Sequence, residues 1–159
     1  MSSFEPISIR QLSANDLALM ESLLTTFGEA FDEVDTYSSS RPSNAYLKRL
    51  LSSDYFIALA AIKNGAVVGG LAAYELQKFE QERSEIYIYD LAVAAAHRRK
   101  GIATALIQEL QKIAVVRAVP VIFVQADIGD APAIALYTQL GARAEVLHFD
   151  IAVVRDDDA

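Results

Sequence analysis

The chain of 159 residues contains no cysteine. That excludes disulfides, thiolate metal sites and a cysteine nucleophile. Its two histidines, His97 and His148, stand far apart in sequence with no ligand cluster around either, so no metal site is expected. No apolar run approaches the roughly 18 residues of a membrane span. The opening Met1-Ser2-Ser3-Phe4-Glu5-Pro6 has neither a basic region nor an apolar block. No signal peptide is therefore expected, and a cytoplasmic location follows by default. No serine sits in a nucleophile elbow, which argues against a Ser-His-Asp hydrolase. Positive charge is also scarce: the net charge is −7. That argues against nucleic acid, whose binding needs many phosphate-neutralising cations. It is compatible with a cationic substrate drawn in by the long-range field.

What is present is a globular composition. Hydrophobic residues make up 53% of the chain, enough for one domain with a real core, taken as 1–155. The acidic end 156–159, with Asp156-Asp157-Asp158, reads as a frayed tail. Ile7 to Leu12 alternates as a first strand. Ser13-Ala14-Asn15-Asp16 reads as a capping box before a helix carrying Leu17, Met20, Leu23, Leu24 and Phe27. Gly28 to Ser40 is polar and turn-rich, and Pro42-Ser43 opens a second helix. Tyr55 to Ile62 and Val67 to Leu76 are strands joined by Asn64-Gly65, both tolerant of positive φ. A charged loop, Gln77 to Arg83, leads into the strand Glu85 to Val93. A helix starts at Ile102. Val121 to Ala126 is continuously apolar and reads as a strand buried on both faces. Asp130 caps a helix with Pro132 in its first turn, stopping at Gly141. Val146 to Val154 closes as a last strand. The predicted order is β α α β β β α β α β, an α/β class with a mixed sheet. A fully wound parallel nucleotide fold would alternate strand and helix throughout, and this chain does not.

The most informative stretch is His97-Arg98-Arg99-Lys100-Gly101-Ile102-Ala103-Thr104, a basic turn between a strand and a helix. The first N–H groups of a helix have no internal partner, and the helix dipole adds partial positive charge there. Gly101 lets the backbone approach a ligand, and Arg98, Arg99 and Lys100 add charge for a polyanion. This predicts a site for a pyrophosphate-bearing cofactor.

Arg98-Arg99-Lys100-Gly101-Ile102-Ala103 resembles the Arg/Gln-x-x-Gly-x-Gly/Ala motif of the GNAT N-acetyltransferases, placed after Asp90-Leu91-Ala92-Val93 as in that family. Ala133-Ile134-Ala135-Leu136-Tyr137-Thr138-Gln139-Leu140-Gly141 resembles its second motif. Within the family, Phe56 to Ala61, Lys78 to Gln81, Arg83 to Val93 and Val124-Gln125-Ala126-Asp127 look like the type I aminoglycoside 3-N-acetyltransferases. The resemblance implies a GNAT acyl-CoA N-acyltransferase fold. It implies acetyl transfer from acetyl-CoA, with no metal, to the 3-amino group of the 2-deoxystreptamine ring of gentamicin-type antibiotics. The chain departs from the pattern at Asp130, where the family often has Asn, and at Gly141-Ala142, where it often has Gly-Phe. A GNAT enzyme for another amine (polyamine, peptide or lysine) and a non-catalytic CoA-binding module are the competing readings.

Four tasks follow from that reaction. Holding the cofactor falls to Arg98, Arg99, Lys100, Gly101, Ile102, Ala103 and Thr104, with Asp130, Ala133 and Tyr137 from the second motif. Polarising the thioester carbonyl falls to a backbone N–H near Leu91, Ala92 and Val93, beside which the resemblance lays the pantetheine arm. A splay of the strands at Val93 and Val124 would admit it, and a bulge in Glu85 to Val93 would be the usual cause. Tyr137 is the candidate proton donor to the leaving thiolate. The base is open among Asp127, Asp90, Glu85 and Asp150. A regular strand would put Glu85, Tyr87, Tyr89 and Leu91 on one face and Asp90 on the other. Asp32, Glu33, Asp35, Glu80 and Glu82 are candidates for a cation-attracting rim, and Asp35, Glu80, Glu85, Asp127 and Asp150 for substrate contact. The expected partner is an aminoglycoside, with no nucleic acid and no membrane, and the resemblance makes a homodimer plausible.

Overall fold

The computed structural model describes residues 5–155; the tail expected at 156–159 lies outside them. The chain divides into two compact units, Met1–Gln125 and Ala126–Ala159. In the first unit the elements run β1 (Ser8–Gln11), α1 (Leu17–Ala30), α2 (Val34–Ser38), α3 (Asn44–Ser52), β2 (Phe56–Lys63), β3 (Ala66–Gln77), β4 (Ser84–Val93), α4 (Ile102–Val116) and β5 (Ile122–Val124). The second unit holds α5 (Ala131–Leu140).

The five strands form one sheet in sequential order, antiparallel from β1 to β4, with β5 parallel to β4. The β2–β3 hairpin turns at Asn64 and Gly65, with φ of 52° and 75°. Those are the positive angles that a tight hairpin needs. One sheet face carries Phe56, Ala58, Ala60, Ala72 and Ala92, and these pack with Met20, Leu23 and Phe27 of α1 and Leu47 and Leu51 of α3. Small residues in the strands let the helices come close. A Cβ on Gly70 would collide with the Leu23 side chain and stand 2.5 Å from the Leu59 carbonyl oxygen. The opposite face carries Ile57, Leu59, Leu71, Ile86 and Ile88, and α4 supplies Ile102, Leu106, Leu110 and Ala114 to the core. Burying each large aliphatic side chain contributes roughly 1.5–3 kcal/mol.

Four local expectations need correction. The Ser13–Asp16 unit forms only the reciprocal half of a capping box: Asp16 Oδ2 accepts from Ser13 N at 2.8 Å, but α1 begins at Leu17. The polar stretch 28–40 contains a helix, α2, whose Tyr37 ring sits against Phe27 and Phe31 at centroid distances of 6.3 and 6.0 Å. β5 is half-exposed instead of buried on both faces, because it is the last strand of its sheet. Finally, residues 146–154 form no strand. A strand exists only where its N–H and C=O groups meet a neighbour's, and among the described residues none is paired with this segment.

Candidate active site

The site is built around an irregularity in β4. Ala73 stands opposite Ile88 and Ala72 opposite Asp90, so Tyr89 is an extra residue without a partner on β3. This is a β-bulge, and it resets the side-chain alternation. Asp90 therefore shares a face with Glu85, Tyr87 and Ala92, whose β3 partners are Ala72, Leu76, Tyr74 and Gly70. Regular alternation would have put Asp90 on the opposite face; the bulge turns it toward α1–α3. On its other edge, β4 pairs with β5 only from Ile86↔Ile122 to Ile88↔Val124. The ladder stops where the bulge starts, and β4 runs on to Val93 without a β5 partner. The bulge expected in Glu85 to Val93 is present, and the paired part of β5 ends at Val124.

The α1-facing side of β4 at the bulge is chemically distinctive. Tyr37 of α2 donates its hydroxyl to Asp90 Oδ2 at 3.0 Å. Burial pushes the Asp90 carboxyl above the usual carboxylate range; the Tyr37 hydrogen bond opposes this and the Glu33 charge adds to it. A carboxylate with a raised pKa is a stronger base toward an ammonium. Burial and the Asp90 charge together push the Tyr37 phenol well above its ordinary value, so it stays a donor. Beside them runs a row of rings: Phe56–Tyr74 at 5.2 Å, Tyr74–Tyr89 at 5.9 Å, Tyr89–Tyr87 at 6.0 Å and Tyr87–Phe123 stacked at 4.8 Å. Tyr37 and this row were not identified from sequence. The signal for Tyr37 was its apolar company with Phe27 and Phe31 inside a stretch that reads as polar.

Downstream of Val93 the chain makes a short 3₁₀ turn, Ala95–His97, and enters α4. Arg98 Nε donates to the Val93 carbonyl at 3.0 Å, fixing the turn to the strand end. Arg99 (φ 61°) and Gly101 (φ 78°) are both left-handed, and Gly101 caps α4 with no side-chain acceptor. Alternating left-handed residues fold successive N–H groups into an anion-binding concavity. The N–H groups of Ile102, Ala103 and Thr104 have no partner within the helix. The Nδ1 atom of His97, also at this turn, is buried with no hydrogen-bond partner among the described residues. Nothing lies within 4 Å of a Cβ on Gly101, so glycine is favoured there by its φ and not by crowding. The turn fits a diphosphate.

The remaining candidates divide. Glu80 and Glu85 are already matched: Lys78 Nζ lies 3.2 and 3.4 Å from their carboxylates, and Arg83 lies 3.4 Å from Glu85. Asp35 is exposed on α2, the helix that sends Tyr37 to Asp90. Asp127, Asp130, Ala133, Tyr137 and Asp150 belong to the second unit. There Asp130 Oδ1 caps α5 by accepting from Ala133 N at 3.2 Å, and the Asp127 carbonyl accepts from Asp130 N at 3.0 Å. Burial, then the Asp130 charge, raises the Tyr137 phenol. Asp150 stands 2.9 Å from His148 Nε2. Among the described residues no group of three acids or histidines is placed to hold a metal ion, and no helix is long and apolar enough to cross a membrane.

A bulged strand that outruns its parallel neighbour and is followed directly by a helix entrance with free N–H groups is the arrangement the resemblance to the GNAT acyltransferases leads one to expect. The chain belongs to the acetyltransferase (GNAT) family, whose model matches residues 18–142. An aminoglycoside acetyltransferase from an uncultured soil metagenomic sample is 66% identical, with a TM-score of 0.92 over 94% of this chain and 99% of that one. A second soil enzyme of that description, crystallised with sisomicin, is 30% identical, with a TM-score of 0.86 over 93% and 97%. An aminoglycoside N-acetyltransferase in complex with CoA shares the fold alone, at 16% identity and a TM-score of 0.75 over 96% and 98%. No match was found among curated protein sequences.

Proposed function

We propose that this chain transfers the acetyl group of acetyl-CoA to the 3-amino group of the 2-deoxystreptamine ring of gentamicin-type aminoglycosides, conferring resistance in the cytoplasm. The observation that carries the reading is the bulge at Tyr89. It ends the β4–β5 ladder and turns Asp90 toward Tyr37 at the same point. The similar soil enzyme crystallised with sisomicin supports the substrate class. An acid-and-tyrosine surface suits a polyamine sugar, because carboxylates pair with ammonium groups and ring faces attract cations.

Acetyl-CoA supplies the activated acyl group. The N–H groups of Arg99 to Thr104 hold its diphosphate, and a backbone N–H of Leu91 to Val93 donates to the carbonyl oxygen as negative charge develops. Asp90 takes a proton from the substrate ammonium, freeing the amine to attack. Tyr37 holds the carboxylate in place through Oδ2, and Oδ1 accepts no hydrogen bond among the described residues. Asp127 is the alternative base. Tyr137 keeps the role that the resemblance gives it, proton donor to the leaving thiolate. Both units serve one acetyltransferase in this reading.

A thiol-release assay with acetyl-CoA tests it. Release with gentamicin, none with spermidine or a lysine peptide, and acetylation at the 3-amino group by NMR are expected. Release with spermidine or peptide but not gentamicin would move the chain to another amine. Tight CoA binding with no release on any amine would leave only a binding module.

A further inference from the structure

α2 is five residues long, too short to stay helical in water without outside contacts. Its placement comes from what ties it to α1, and the ties differ at its two ends. At the start the tie is backbone. Glu33 N donates to the Gly28 carbonyl at 2.8 Å, and Asp32 reverses the chain with φ 54°. Gly28 is needed there, because a Cβ on it would stand 3.0 Å from Tyr37 Cβ and 3.4 Å from Val34 Cα. The Phe27 and Phe31 rings then lie against the Tyr37 ring.

The far end is held by a side chain. Arg41 follows α2 and turns back over it. Its Nε and Nη2 donate to the Tyr37 carbonyl at 3.3 and 3.1 Å. A carbonyl in the last turn of a helix has no helical partner, and a basic side chain beyond the end can supply one. The same guanidinium reaches α1. Nη1 donates to Glu21 Oε2 at 2.9 Å and to the Glu21 carbonyl at 3.4 Å, and Nη2 donates to Thr25 Oγ1 at 3.1 Å. Arginine suits this place because its planar fork bonds in several directions from one fixed centre, whereas a lysine ammonium is a point charge on a flexible stem. The carbonyl that Arg41 grips and the hydroxyl that reaches Asp90 belong to one residue. All of these groups lie in the first unit.

We propose that Arg41 is a positioning residue: by pinning the Tyr37 carbonyl to α1, it holds the Tyr37 hydroxyl on Asp90 and so fixes that carboxylate. Its bearing on turnover rests on the reading of Asp90 as the base. At 3.0 Å the Tyr37–Asp90 bond already stands at the long end of the O–H···O range, so a small outward shift of α2 breaks it. The titratable groups facing the Asp90 carboxyl are Tyr37 and Glu33 from α2 and Tyr74 from β3, with Tyr87 on its own strand. Arg41 meets the main chain of Tyr37 and not the carboxyl, so its effect travels through Tyr37.

The test is a double-mutant cycle on the full chain, read by carbon-13 NMR titration of the Asp90 carboxyl. It compares wild type, Arg41→Gln, Tyr37→Phe and the double variant. The Tyr37 bond favours the charged carboxylate, so loosening it raises the Asp90 pKa. Arg41→Gln is expected to raise it by less than Tyr37→Phe does, and the double variant is expected to match Tyr37→Phe alone. In thiol release with gentamicin, Arg41→Gln is expected to lower kcat/KM by about three- to tenfold on the acid limb, with the loss vanishing on the alkaline plateau. A merely structural arginine would leave the carboxyl titration unmoved or lower kcat/KM equally at every pH, and either result overturns the proposal. So does an Arg41→Gln effect that persists in the Tyr37→Phe background, which is action of the arginine charge. Should Arg41→Gln not fold, Glu21→Gln weakens one prong of the anchor and is expected to raise the Asp90 pKa in the same direction; an unmoved carboxyl there also overturns the proposal. The titration needs no acceptor. A raised Asp90 pKa in Arg41→Gln, in an enzyme that does not acetylate gentamicin, would fault the acceptor assignment and support the role of Arg41.

Discussion

Removing the Tyr37 hydroxyl isolates its effect on Asp90. Tyr37→Phe keeps the ring against Phe27 and Phe31 and deletes only the 3.0 Å hydrogen bond to Oδ2. A hydrogen bond to an ionised acceptor is worth about 1.5–3 kcal/mol, and the partial exposure of this pair favours the lower end. The bond favours the charged carboxylate, so its loss raises the Asp90 pKa further above the usual range, where burial already holds it. The base must be ionised to act, so activity rises with pH as Asp90 loses its proton. The acid limb of kcat/KM should therefore move to higher pH in the variant. About 1.4 kcal/mol is a factor of ten, so on that limb kcat/KM should fall about tenfold, and the loss should vanish on the alkaline plateau. The assay is acetyl-CoA thiol release with gentamicin across the pH range. Asp90→Asn, which cannot take the proton at any pH, should lose about 10²–10⁴ throughout. An acid limb unmoved by Tyr37→Phe, or an equal loss at every pH, would refute the assignment of Asp90 as base and Tyr37 as its positioning residue.

Gly101→Val asks a β-branched residue to adopt φ 78°, and should raise the dissociation constant for acetyl-CoA by about tenfold or more while thermal unfolding shows the fold intact; titration calorimetry measures it. Tyr137→Phe should lower kcat more than it raises the KM for acetyl-CoA, by about tenfold or more; steady-state kinetics checks the split, and unchanged kcat removes Tyr137 from the acid role. Asp16→Asn should cost about 1 kcal/mol in urea unfolding at pH 7. The Ser13 N–H, then the Ser13 hydroxyl and Arg10, hold the Asp16 carboxyl below its ordinary value against the opposing effect of burial. That stability is present above the unfolded pKa of about 3.9 and lost as pH falls toward the folded one, so wild type and variant should converge in acid.

Local chemistry carried most of the fold into the sequence. Asn64-Gly65 announced a hairpin, Asp130-Ala131-Pro132 a helix start, and Gly101 the backbone reversal before α4. The candidate site was legible where it depends on backbone: the glycine turn before α4 and the bulge in β4. It was obscure where it depends on side chains meeting across the fold. The face of Asp90 could not follow from alternation, because a single unpaired residue, Tyr89, inverts it. Tyr37 was hidden because five helical residues inside a polar stretch leave almost no periodicity. The segment 146–154 shows the converse limit. Its alternation reads as a strand, but a strand also needs a neighbour's N–H and C=O groups, and among the described residues none is paired with it.

The diphosphate turn is made of main-chain atoms. Every amino acid except proline supplies the same N–H, so most substitutions at Ile102, Ala103 or Thr104 leave the donors in place, and the backbone is most exacting at the left-handed positions Arg99 and Gly101. In the proposed reading, donor handling is thereby insulated from most mutations. The acidic and tyrosine side chains around Asp90, by contrast, are each one codon from something else. If the proposed roles hold, a lineage built this way can wander across acceptor molecules under selection while its grip on the acyl donor stays put.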